Sequence, residues 1–331
     1  MYTDENLTEA VTQGIFTEES IQKFRRHMFS QRATATADEE NFKLLVSFND
    51  IFVVIACALL LFSISWVTYT ISPVLTMVSV SMLSWGLAEF FVLKRKMALP
   101  AIVLLITFVG AVFALVQSFF GSLSELSVML AGAASSLSAW LHWRRFKVPI
   151  TVAAGAVTVV IFVIALAISL VPALEGYTSY LIFVSGLGVF FAAMCWDAAD
   201  LGRVSGKTDV AFWLHLVSAP LIVHPIFTNL GILKGNDSVL ITVVIVALYI
   251  VLSVISVTID RRAFMVSSLV YVLYALTQLF KTYGFAGDSF AYVGIIIGFS
   301  LLLLSGLWHR SRSALFTIMP VSIKNKVPDV K

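Results

Sequence analysis

Charge is what this chain has least of. Only 12% of its 331 residues are Asp, Glu, Lys or Arg, while 59% are apolar. A soluble domain carries about a quarter charged residues, because its surface must face water. The shortage argues against a water-soluble globular domain, a disordered chain and a nucleic-acid-binding module, so no nucleic-acid partner is expected. Cysteine is almost missing. Cys57 and Cys195 both lie in apolar runs, so no disulfide framework is implied. The five histidines (His27, His142, His215, His224, His309) are dispersed. There is no HExxH pair, no Cys/His cluster with metal spacing and no GxSxG nucleophile elbow, so we expect no metal, no cofactor and no enzyme. An arginine ladder and a carbonyl filter are also lacking, which argues against a voltage sensor and a potassium channel. The first 48 residues have no early apolar core of the signal-peptide kind, so the first hydrophobic run is expected to stay as a spanning helix.

Long apolar runs are what the chain has instead. A bilayer core is roughly 30 Å thick, and a helix needs about 20 mostly apolar residues to cross it. Ten runs qualify: 51–70, 72–93, 99–119, 124–143, 149–172, 178–196, 210–230, 238–259, 263–281 and 289–308. Backbone groups in lipid must pair internally, and the runs are too long for barrel strands. The expected fold is all-α, a polytopic membrane helix bundle of about ten transmembrane helices. Its surroundings are the lipid bilayer.

Orientation follows from the basic residues at the connections. With the N-terminus inside, twenty Lys and Arg fall on inner segments, and only Lys234 and Lys281 fall on outer ones. That alternation predicts an N-in/C-in topology. Three parts result: a cytoplasmic hairpin and polar linker over 1–48, a transmembrane domain over 49–309 and a basic cytoplasmic tail over 310–331. In the first part, Leu7 and Val11 share a helix face. Gly14 suits a left-handed cap, and Thr17 suits the start of a second helix carrying Ile21, Phe24 and Met28. Residues 31–41 read as a linker. A weak repeat of about fifty residues links Phe90–Lys96 before Pro100 with Trp140–Arg145 before Pro149. Duplication or hairpin geometry alone accounts for it.

Ionisable groups inside spans are costly in lipid, so each one is a candidate site. Glu89 sits about 7–8 Å below the inner boundary at ~1.5 Å per residue, and His215 is at a similar depth. A Glu89–His215 pair could bind or relay a proton, because histidine titrates near neutral pH. Otherwise Glu89 reaches the inner surface and His215 satisfies a backbone carbonyl. Span seven is the most unusual segment, with His215, Pro220, His224, Pro225 and Asn229. Interior prolines free carbonyls that can face a ligand. His215 and His224 are nine residues apart, on opposite helix faces, so they do not share a metal. Asp197, Asp200 and Arg203 stand at three-residue steps and can pair along a helical extension of span six, with Asp209 at the start of span seven. They form a candidate cytoplasmic gate or a structural ion-pair set, and Asp260–Arg261–Arg262 is a similar cluster at the next inner turn. Tyr271, Tyr274, Thr277 and Gln278 make a polar stripe in span nine. Gly294 and Gly298, and the run Ala131–Ser136, permit close helix packing. Gly202–Thr208 has the look of a P-loop, but three residues, not four, separate its glycines, and a membrane run precedes it.

Gly14-Ile15-Phe16-Thr17-Glu18-Glu19 at one end, and Gly306-Leu307-Trp308-His309-Arg310 with Leu315 and Pro320 at the other, resemble a broad group of uncharacterised bacterial multi-pass inner-membrane proteins. The resemblance covers about a fifth of the chain and implies a bacterial inner-membrane location. It implies no activity. In size and number of spans the chain is similar to drug/metabolite transporters. Two functions stay open: a small-molecule or ion transporter, proton-coupled through Glu89, His215 and His224, and a non-transporting scaffold or assembly protein acting through residues 1–48. A substrate, a direction and an oligomeric state cannot be read from the residues.

Overall fold

The computed structural model describes residues 9–23, 48–201, 203, 206–231, 239–282, 289–320, 324 and 327–328. Leu7, Phe24, Met28, the 31–41 linker, Lys234 and most of the Gly202–Ser205 turn lie outside the described residues. The chain divides into two compact units, Met1–Phe42 with Lys331, and Lys43–Val330.

In the small unit, residues 9–12 and 18–23 are helical. Gly14 joins them at φ +70°, a left-handed conformation that costs glycine nothing. The amide of Ile15 then reaches the Ala10 carbonyl at 2.9 Å. Thr17 Oγ1 accepts from the Ser20 amide at 3.2 Å and opens the second helical segment.

Most described residues of the large unit are helical, with no strand among them, and eight helices are long and apolar enough to cross a membrane. We label the elements α1 (Phe48–Tyr69), α2 (Pro73–Ala88), α3 (Ala98–Ser118), α4 (Glu125–Phe146), α5 (Ile150–Leu170), α6 (Thr178–Ala198), α7 (Gly206–Asn229), α8 (Val239–Ile259), α9 (Ala263–Thr282), α10 (Ser289–Gly306) and α11 (Trp308–Ile318). A π-helical turn, Glu89–Lys94, extends α2, and a short 3-10 turn, Pro172–Tyr177, leads into α6. These elements cover the ten apolar runs, but two fall short as spans. α4 is diluted by four serines, His142, Arg144 and Arg145. α10 is joined to α11 through a bend of 69°, and the pair counts as a ninth span only if taken as one broken helix.

The surface is inverted relative to a soluble protein. Leu59, Phe62, Ile106, Phe191, Leu240 and Leu302 are exposed, while Ser84, Ser135, Ser218, Ser256 and Ser268 are fully buried. Large exposed apolar areas are untenable in water and suit lipid, and small polar residues let helices approach and hydrogen-bond inside. The chain is a multi-pass membrane protein.

Successive helices pack closely from α1 through α7 and again from α8 through α11. The odd-numbered helices also pack in order, α1 on α3, α3 on α5, α5 on α7 and α7 on α9. They form a continuous row, with even-numbered helices laid against it. Two glycines set the tightest approaches. A Cβ on Gly132 of α4 would lie 2.9 Å from the backbone nitrogen of Phe162 in α5, and one on Gly186 of α6 would lie 2.9 Å from the backbone of Leu221 in α7. Gly294 and Gly298, by contrast, face nothing within 4 Å. α7 lies deepest. Over half of its apolar window is buried, against at most a third in the other candidate spans.

Candidate functional site

Four of the basic connections between helices share one backbone feature. Lys96, Lys147, Arg203 and Asp260 are the described non-glycine residues with positive φ, between 53° and 57°. Lys96, Lys147 and Asp260 take this left-handed conformation just after an even-numbered helix, and Arg203 takes it within the connection after α6, a conformation that costs a non-glycine residue roughly 1–2 kcal/mol. This local reversal explains a departure from the sequence expectation. Asp197, Asp200 and Arg203 do not lie on one continuous helix, because α6 ends at Ala198 and Arg203 has positive φ.

Their side chains go to different partners instead. Asp197, in the last turn of α6, is 1% exposed. Its carboxylate accepts from Arg261 at 2.6 and 3.3 Å and meets His215 Nε2 at 2.9 Å. Arg261 also donates to the Thr208 carbonyl at 3.3 Å. Asp200 accepts from the Thr208 hydroxyl at 2.9 Å. Arg203 crosses to Asp260, donating to its carboxylate at 2.6 Å and its carbonyl at 3.1 Å. Asp209 is half-buried in the first turn of α7. The α6–α7 and α8–α9 turns are thus clasped together by two ion pairs, Asp197–Arg261 and Asp260–Arg203.

A third element joins them. Asp260 also accepts from Trp308 Nε1 at 2.8 Å and pairs with Arg312 at 3.2 Å, both from α11. Arg312 donates in addition to the Pro328 carbonyl. Asp197, His215, Asp260, Arg261 and Arg312 are each 3% exposed or less. Removing charges from water costs several kcal/mol per ion, and only close, well-saturated pairing offsets it. The shortest contacts, Arg261–Asp197 and Arg203–Asp260 at 2.6 Å and His215–Asp197 at 2.9 Å, belong to that kind of pairing.

The other sequence candidates lie elsewhere. The expected Glu89–His215 pair does not form. Glu89 faces Arg145 of α4, which donates to both carboxylate oxygens at 2.8 Å, while His215 is held by Asp197. The π-helical turn begins at Glu89, and this pair ties the end of α2 to the end of α4. His224 is exposed and meets the Tyr271 hydroxyl, and Tyr271 stacks on Phe227 at 4.7 Å. The opposite faces expected for His215 and His224 are seen as one buried and one exposed ring. Asn229 accepts from Ser179 at 3.3 Å, joining the far ends of α6 and α7. α7 runs through Pro220 and Pro225 without a break. Pro225 removes the helical partner of the Leu221 carbonyl, and Leu221 is where Gly186 brings α6 closest.

Trp308 and Arg312 were not among the sequence candidates. Their four-residue spacing on one helix face was a usable signal, but the segment beyond the last apolar run reads as a tail. Asp260 and Arg261 were visible as a cluster. Their partners, 57 and 64 residues away, were not. Among the described residues, no group of His, Cys, Asp and Glu is arranged to hold a metal ion. No family model, curated protein or solved structure matches this chain.

Proposed function

We propose that this protein is a proton-coupled transporter of a small molecule or ion in the bacterial inner membrane. It would have ten spans, both termini cytoplasmic, and its charged network at the cytoplasmic ends of α6–α9. The twenty-to-two split of basic residues supports the orientation. The two terminal motifs that resemble bacterial inner-membrane proteins support the location.

One observation carries the functional reading. Asp197, His215 and Arg261 form a buried triad contributed by two candidate spans and the turn after a third. Ionisable groups inside a membrane domain are rare and mark ion or substrate paths and proton relays. Buried ion pairs contribute little net stability compared with an apolar core, so packing alone does not account for the triad. In the proposed cycle, a proton reaching the Asp197–His215 pair weakens the hold on Arg261. The α6–α7 and α8–α9 turns then separate, and the inner side of α7 opens. Asp200, Arg203 and Asp209 belong to this gate. Glu89 is a peripheral tie between α2 and α4, and His224 and Asn229 serve the far half of α7.

The test is flux in proteoliposomes against a metabolite panel, with a pH-sensitive dye inside. The wild-type protein is expected to move protons with one class of solute. His215→Ala is expected to uncouple the two, and Glu89→Gln to leave coupling intact. Solute flux without proton movement, or unchanged coupling in His215→Ala, contradicts the reading.

A further inference from the structure

We infer that α11 is a lid over the basic end of the bundle, and that the consecutive residues Asp260 and Arg261 couple the lid to the buried triad. The proposal rests on the transport reading for what the lid controls, but not for its geometry.

α11 departs from α10 at 69° after a single residue, Leu307, so it lies across the helix ends instead of continuing the span. Trp308 and Arg312 are buried, and Leu315, Phe316 and the following Met319 pack on the core, all at three- and four-residue steps. His309, Arg310, Ser313 and Thr317 are exposed, together with Ala314 and, at the helix end, Ile318. A helix dipping into lipid would show apolar residues along its whole outer face. This one carries polar residues over most of that face and turns its apolar stripe onto α8–α10. Val327 is 2% exposed and belongs to the same core cluster, so the chain beyond α11 returns to the bundle.

The contact between lid and turn is specific. Trp308 is clasped from two sides by the α8–α9 turn, with Asp260 accepting its Nε1 proton and the Arg262 guanidinium 4.9 Å from its ring centre. Arg312 reaches the same carboxylate. Asp260 therefore reads the lid, and the next residue, Arg261, reads Asp197. Asp260 is held in a left-handed conformation, and the Arg261 amide is fixed to the Ser256 carbonyl at 2.9 Å. The two residues are neighbours in one short turn between α8 and α9, so a shift of that turn moves the anchor points of both side chains together. A lifted α11 removes Trp308 and Arg312 from Asp260, and a freed Arg261 loosens the turn on which α11 rests.

Hydrogen exchange of the full chain in nanodiscs, followed by mass spectrometry of the segment 308–318, tests this without any substrate. In the wild type the segment is expected to exchange slowly. Trp308→Phe keeps the ring over Arg262 but deletes the donor, and it is expected to speed exchange about tenfold, the scale of one lost hydrogen bond to a charged group. Arg312→Gln is expected to do the same. Asp197→Asn, which does not touch α11, is expected to speed it as well. Wild-type exchange in Trp308→Phe and Arg312→Gln overturns the lid. Faster exchange there with no change in Asp197→Asn overturns the coupling. α3 serves as the folding control, and Arg312→Lys replaces any variant in which α3 also loosens. Failure of the transport reading appears separately, as absent flux with this exchange pattern intact.

Discussion

Arg261 has its guanidinium inside a lipid-facing bundle and is 1% exposed. Its two bonds to Asp197 and one to the Thr208 carbonyl leave little of its charge unanswered. Deleting one partner is therefore worse than deleting both. Asp197→Ala is predicted to destabilise the protein by about 3–5 kcal/mol, because an uncompensated buried cation remains. The double variant Asp197→Leu with Arg261→Met is predicted to recover most of that loss. Thermal melting in detergent, compared across the single and double variants, checks both. At this scale the sequence was half legible. Asp197 and His215 stand out because ionisable groups are scarce among apolar neighbours. Their pairing was not legible, because it joins turns far apart in the chain. Equal depth made Glu89 and His215 look like partners, but depth says nothing about which helices touch, and Arg145 and Asp197 claim them instead.

The helices themselves were the most legible feature, since lipid leaves an apolar run no alternative way to satisfy its backbone. What the pattern hid was how closely they approach. Gly132 and Gly186 look like ordinary small residues, yet a Cβ on either would lie 2.9 Å from the backbone of the next helix. Gly294 and Gly298 have the better-known spacing and face open space. Gly186→Val is predicted to push α6 from α7 at Leu221, cost about 1–3 kcal/mol and disturb the Asp197–His215 pair about three turns along α6. Gly298→Val is predicted to leave the melting temperature unchanged. Measuring both variants side by side separates a glycine packed on a neighbouring backbone from one with open space beside it. α11 escaped the hydropathy pattern for a different reason. Eleven residues with His309, Arg310 and Arg312 are too short and polar for a span, and their apolar stripe becomes meaningful only once the α8–α9 turn is in place.

For the molecule as a whole, the scarce charge of the sequence is not spread evenly. The left-handed turns gather it at one end of the helix row. There, Glu89–Arg145 ties α2 to α4, and the larger network ties α6 to α8 and α11. The rest of the domain is apolar outside, and inside it packs large apolar side chains such as Leu104, Leu105, Phe227 and Ile245 with small and hydroxylic ones between them. In this arrangement, opening the bundle at its charged end exposes the inner face of α7. Ser218 lies on that face, one turn beyond His215 and fully buried. The most direct test is labelling of Ser218→Cys by a membrane-impermeant maleimide applied to the basic side of reconstituted vesicles. The background replaces Cys57 and Cys195, of which only Cys195 is exposed. The account predicts that position 218 is protected at rest and reacts when a pH gradient is imposed or when Asp197→Asn is introduced. A position 218 that stays protected under both conditions contradicts it.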